Sequence, residues 1–323
     1  MAISVVDRRT FLAATAAAIS AGSAQSQTQP KQTFFAGVVA SAPRAPGAPA
    51  GPARGASGGR GGQAAQTDEE RVKSFLVGMD DAARLGIHYI EKSNGPDPLV
   101  NFYKGKEAAF KEELAKRNQK LAGLANNCHA GRADLRQTMV DQNIRTAKFI
   151  QYMGGKYIAL VLDPTDGSDG SGDEAAFRKN DFKVIAANVD AMAKQAQDQT
   201  GVETGYHPEE GDSAAGLVDY LMDNTKYLKF FPDIGWMQMA GMDAISSCKK
   251  YYSRMNGMHM RDYKAPATPT PRAGNVPLGE GTLDLKGLMA FFRQNKFTGY
   301  VMGEGQGNES NYNYMHNVLG LEF

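Results

Sequence analysis

Four side chains able to hold a divalent cation follow one another through the second half of the chain: His207, Asp233, His259 and Glu304. Each stands at the end of a short run rich in apolar residues: 202–206, 230–232, 255–258 and 299–303. A run of that kind reads as a buried strand, and a polar residue at its carboxyl end faces the rim where α/β folds gather their chemistry. Two imidazoles with two carboxylates suit Mn²⁺, Fe²⁺, Co²⁺ or Zn²⁺, with Mg²⁺ in the expected range, better than Ca²⁺, which prefers oxygen. One strand-end His or Asp is commonly a hydrogen-bonded structural group. Four in successive units point to a single metal centre.

Such a site needs elements that bring four strand ends together. Strands are expected near 33, 88, 121, 156, 202, 230, 255 and 299, with helical spacing between them at 68–86, 105–119, 134–153, 181–199, 217–228, 243–253 and 283–294. Between 233 and 255 a helix of about twelve residues is expected, and 309–323 looks too short for a full closing helix. Eight alternating strand–helix units predict a (β/α)8 TIM barrel of α/β class. The alternative, a doubly wound open sheet, lacks a Gly-rich phosphate turn after the first strand.

The rim offers further chemistry. Glu304, Glu209 and Glu280 are the carboxylates placed to move a proton beside the metal, and His129 at the third strand end is another candidate base. Glu280 could instead order the loop before the helix near Asp284, and Glu91 and Asp163 end strands either as pocket lining or as reacting groups. Trp236, Arg261 and Lys264 form a candidate substrate surface, an indole for a sugar face and two cations for its oxygens. Packing at the barrel mouth is the other reading of Trp236, and Asp262 is expected to orient His259 or Arg261.

Composition narrows the class. The chain has 323 residues, 42% hydrophobic and 22% charged, with a net charge of +1. That is ordinary for a globular enzyme and gives no basic footprint for nucleic acid. No run of 18 apolar residues suggests a spanning helix. Asp7-Arg8-Arg9-Thr10-Phe11-Leu12, an Ala-rich stretch and Gly22-Ser23-Ala24 read in order as a twin-arginine signal over residues 1–24, followed by a linker at 25–32. A periplasmic or extracytoplasmic location follows, which disfavours a phosphorylated substrate. The barrel would occupy 33–323, with an Ala/Pro/Gly-rich insertion at 42–66 too poor in apolar residues to order itself. Cys128 and Cys248, the only cysteines, are expected to be unpaired. Monomer and oligomer are equally compatible with the sequence.

The segments GVETGYHPEE (201–210), FFPDIGWMQMAG (230–241), RMNGMHMRDYK (254–264), VPLGEGTLDLKGLMAFF (276–292) and GYVMGEGQ (299–306) resemble, from about residue 68 onward, the sugar phosphate isomerase/epimerase superfamily. These xylose isomerase-like barrels include inosose dehydratases and ketose 3-epimerases. The resemblance implies a divalent metal on His207, Asp233, His259 and Glu304. Where many members carry a second histidine, this chain has Glu209. The first ligand of the ketose epimerases is a glutamate base, here replaced by His207, and Trp236 replaces a substrate-touching histidine.

The expected activity is metal-dependent isomerisation or epimerisation of an unphosphorylated sugar or keto-sugar through an enediolate. The alternatives are a lyase or dehydratase acting on a keto-inositol or 3-keto-glycoside, and a non-catalytic sugar-binding barrel. A metal-dependent endonuclease on the same barrel is disfavoured by the near-neutral charge.

Overall fold

The computed structural model describes residues 30–41, 66–93, 97–164, 173–267 and 274–323. The expected signal at 1–24, the 25–32 linker up to residue 29 and nearly all of the 42–66 insertion lie outside them. Residues 32–323 make one compact unit.

Eight parallel strands form its centre: β1 (Phe35–Val39), β2 (Tyr89–Lys92), β3 (Lys120–Cys128), β4 (Tyr157–Leu162), β5 (Glu203–His207), β6 (Lys229–Phe230), β7 (Gly257–Met260) and, after a small hairpin, β10 (Tyr300–Gly303). Hydrogen bonds link them in the order β6-β5-β4-β3-β2-β1-β10-β7. Isolated parallel bridges Phe230↔Met255 and Asp233↔His259 join β6 to β7 and close the ring. The (β/α)8 barrel expected from alternating units is therefore what the chain forms.

Strands of this kind are buried on both faces, which the apolar runs FAGVV of β1 and YIALVL of β4 reflect. Outward residues such as Leu160, Phe230, Met258 and Val301 pack under the helices, as do Ile90, Leu124 and Ile158 on the other side of the ring. Inside the barrel, Val39, Ala125, Tyr157, Ala159, Phe231, Tyr300 and Met302 form a separate cluster drawn from strands. Large rings there require small neighbours. A Cβ on Gly257 would strike the Phe231 ring and lie 3.0 Å from the Tyr300 carbonyl oxygen.

Three local expectations need correction. Between β6 and β7 the chain forms two short helices, Ile234–Met239 and Ala244–Lys250, rather than one of about twelve residues. Gly241 at φ +83° breaks the run, and Asp243 restarts it by accepting from the Ser246 N–H at 2.9 Å. The chain also closes with a full helix, Asn308–Asn317, despite its polar sequence. Asn308 anchors it by donating to the carbonyl oxygens of Ser41 and Gly78 at 3.2 and 3.0 Å. Finally, Asp262 does not orient His259 or Arg261. It begins the antiparallel hairpin β8 (Asp262–Tyr263) and β9 (Asn275–Val276). Its carboxylate accepts from the Gly279, Gly281 and Leu283 N–H groups and so shapes the loop ahead of helix Leu285–Gln294.

Candidate metal centre

His207 ends β5, and Asp233 follows β6 after Phe231 and Pro232. His259 lies inside β7, one residue earlier in its strand than a terminal position, and Glu304 follows β10. Parallel pairing of β10 with β7, together with the Asp233↔His259 bridge, brings these positions to one rim. One ligand atom from each of the four lies within 4.8 Å of every other. His207, Asp233 and His259 are buried, and Glu304 keeps 18% of its side-chain surface.

The contacts within the group are close. His207 Nε2 faces His259 Nδ1 at 2.7 Å and Asp233 Oδ2 at 3.9 Å. His259 Nδ1 is also 2.8 Å from Glu304 Oε2. Asp233 has its other oxygen fixed by the Gly235 and Trp236 N–H groups at 3.0 and 3.1 Å, as the cap of helix Ile234–Met239. Arg261 joins the two carboxylates, donating through Nε to Asp233 Oδ2 at 2.9 Å and through a terminal nitrogen to Glu304 Oε2 at 2.8 Å.

Electrostatics divide the two imidazoles. Burial and the neighbouring His259 hold His207 below its ordinary value. Burial also works against charge on His259, but the carboxylates of Glu91 and Glu304 outweigh it and push that imidazole up to about 10. Glu304 is likewise opposed by burial, yet His259 and Arg261 hold it well below the usual carboxylate range. Without a metal ion, one proton on His259 Nδ1 thus sits among His207 Nε2 and Glu304 Oε2, where a cation would take its place. Two ring nitrogens and two carboxylate oxygens aimed at one buried point suit a divalent first-row cation or Mg²⁺. The residues present fit such an ion.

The other expected site residues are distributed as follows. Glu209 is buried beside the centre, capping helix Glu210–Ala214, and its charge acts on His207, Asp212 and Arg261. Trp236 is buried, with the Arg261 guanidinium 4.6 Å from its ring centre. Arg261 is committed to two ligand carboxylates rather than held open. Lys264 is exposed beyond the β8 strand, and Glu280 is exposed in the turn that Asp262 organises. His129 is exposed past β3, with Nδ1 2.9 Å from the Pro164 carbonyl oxygen. None of these last three joins the buried four-residue group.

Sequence reasoning flagged Glu91 as a strand end without giving it a partner. In the folded chain both of its oxygens lie 3.0 Å from His259 Nε2, and Oε2 accepts from the Tyr157 hydroxyl at 2.6 Å. Ser93, two residues on, reaches Glu304 Oε1 at 3.4 Å.

The description "xylose isomerase-like TIM barrel" matches residues 79–319, and the chain belongs to that family. Inosose dehydratase of Salmonella typhimurium is 22% identical over 180 residues, covering 49% of this chain and 59% of that protein. Inosose dehydratase 1 of Bacillus cereus is 22% identical over 236 residues, 66% of this chain and 78% of that protein. The chain thus spans about three-fifths of the length of the Salmonella relative. Among solved structures, a xylose isomerase-like TIM barrel protein of Mycobacterium smegmatis in complex with magnesium superposes with a TM-score of 0.61 at 13% identity, over 91% of this chain and 96% of that one. The apo 3-keto-D-glucoside 4-epimerase of E. coli gives 0.55 at 17% identity, over 76% and 93%. These structural likenesses concern the fold.

Proposed function

We propose that the chain is a divalent-metal-dependent isomerase or epimerase of an unphosphorylated sugar or keto-sugar. The observation that carries this reading is the convergence of His207, Asp233, His259 and Glu304 at the carboxyl rim of the barrel. A divalent cation bound there supplies Lewis-acid stabilisation of oxygen charge beside a carbonyl.

The protein side of the reaction is a proton taken from, and returned to, the carbon next to that carbonyl. Glu304 is the least buried of the four and the carboxylate with access to an arriving substrate. Its low affinity for protons, set by His259 and Arg261, keeps it charged and able to accept hydrogen bonds across the working pH range. Glu209, buried beside the four-residue group, is the candidate for proton return. Arg261 neutralises Asp233 and Glu304 and so lets two carboxylates stand side by side in a buried place. With its guanidinium spent on those two groups, it leaves a neutral sugar as the better match than a phosphate ester.

The dehydratase names among the relatives favour a second reading, in which the same carbanion character expels a β-leaving group. Incubation with metal and a panel of keto-sugars in D₂O, followed by NMR, separates the two. Deuterium at the α-carbon with an intact skeleton supports isomerisation. Loss of water or aglycone transfers the assignment to elimination, and unchanged ligand on a metal-free protein supports a binding barrel. An extracytoplasmic site of action is part of the proposal, resting on Arg8-Arg9 and the segment after them. Retention of an Arg8→Lys, Arg9→Lys double variant in the cytoplasm, against export of the parent, tests it.

A further inference from the structure

We infer that Glu91, braced by Tyr157, is a positioning residue that holds His259 in the orientation and tautomer presenting Nδ1 to a cation. The inference rests on the metal reading of the centre given above.

Glu91 lies in β2 and is fully enclosed. Around it the barrel interior is built from Ala125, Ala159, Phe231 and Met302, which offer a carboxylate no compensation for lost water. A carboxylate persists in such a place when specific donors satisfy it. Glu91 has two: the Tyr157 hydroxyl at 2.6 Å and His259 Nε2 at 3.0 Å from both oxygens. Packing alone would be served as well by an apolar side chain of similar volume.

The geometry gives the pair a directional task. An imidazole that donates Nε2–H to a carboxylate keeps its free lone pair on Nδ1 when neutral. His259 Nδ1 is the atom aimed at His207 Nε2 and Glu304 Oε2. The ring is held sideways as well, since Phe231 meets it edge-on, with centroids 5.1 Å apart and planes at 90°. The three supports come from β2, β4 and β6 with its following residues, so the barrel itself fixes the ring. His207 contrasts with this, because its Nδ1 is buried with no hydrogen-bond partner among the described residues. The brace is given to one of the two imidazoles.

The test uses Co²⁺ with the full chain, reading affinity by chelator competition, ligand field by the visible d–d bands, and histidine tautomers by two-bond ¹⁵N–¹H correlations. Loss of a hydrogen-bonding partner behind a metal-bound histidine typically lowers affinity about 10- to 100-fold. Glu91→Ala is expected in that range, with altered d–d bands and a mixed His259 tautomer. Glu91→Gln, which keeps an oxygen acceptor, should retain the Nε2–H tautomer and lose less affinity. Tyr157→Phe keeps the ring, leaves Glu91 with one donor and decides the matter if the Glu91 variants do not fold. Its expected effect is a weaker Co²⁺ site with the fold intact. Affinities and d–d bands of the folded variants within twofold of the parent would overturn the positioning role while leaving the metal centre standing. A parent chain that binds no Co²⁺ would remove both.

Discussion

His207 Nε2 and His259 Nδ1 face each other across 2.7 Å, and both rings are buried. Between two neutral imidazoles in this orientation, one nitrogen must be protonated or both lone pairs must share a cation. In the metal-free chain the Glu91 and Glu304 carboxylates outweigh burial and stabilise a proton on His259, raising it to about 10.

Metal uptake therefore competes with that proton. Because His259 is raised above ordinary pH, it is protonated before binding and must release about one proton per ion bound at pH 7 to 9. Affinity should rise about tenfold per pH unit over that window and level off near 10. Calorimetry in two buffers of different ionisation enthalpy measures the release directly. Uptake with no proton released would contradict the assignment of His259.

Asp233 combines three tasks, so its loss should cost more than metal. Asp233→Ala removes the cap of helix Ile234–Met239 and leaves the buried Arg261 guanidinium with Glu304 but without its Asp233 partner. Removing one partner of a buried ion pair typically costs about 3–5 kcal/mol, with Glu304 offsetting part of it here. Glu304→Gln, at a partly exposed position, should abolish tight metal binding with a smaller loss. Urea titrations of both variants in excess chelator rank them, and equal stabilities would refute the argument.

Cys128 and Cys248 are both free and buried. Burial raises both thiols, Cys248 to about 12, so neither offers a thiolate at neutral pH. A thiol reagent should label neither group in the native protein and both after denaturation without reductant. Rapid native labelling, or a missing thiol after unfolding, would show a different state.

Gly257→Ala tests the filling of the barrel interior. Its new methyl meets the Phe231 ring, which also lies against His259. Overpacking of this kind costs about 1–3 kcal/mol. The expected result is a lower melting temperature together with weaker metal binding, since the ring beneath the ligand must shift. A variant as stable as the parent would mean that the interior yields more than its packing implies.

The barrel and the convergence of its four strand-end residues were legible because each signal is local. A β-rich run followed by His, Asp or Glu can be read within a few residues, and strand alternation then places all such ends on one rim. Glu91 was visible as a strand end, but its partner His259 is 168 positions away and meets it across the barrel interior. No periodicity encodes that meeting. Asp262 was misread for a related reason: its proximity to His259 in sequence concealed a turn into β8, which aims its carboxylate at a different loop. The helix Asn308–Asn317 was missed because its anchor is polar. Asn308 ties it to Ser41 and Gly78 through amide hydrogen bonds that hydrophobic spacing does not reveal.

The ring of strands is joined by ladders of successive pairs except between β6 and β7, where two isolated bridges complete it. One of those bridges pairs Asp233 with His259, so two of the four candidate ligands stand on opposite banks of the thinnest joint in the barrel. A cation held by both would act as a clasp across that joint, and its binding energy would add to the stability of the closed ring. Loading the centre should then slow amide exchange along 230–233 and 255–259 first. The rim that gathers the four candidate ligands is also where the ring is most thinly joined.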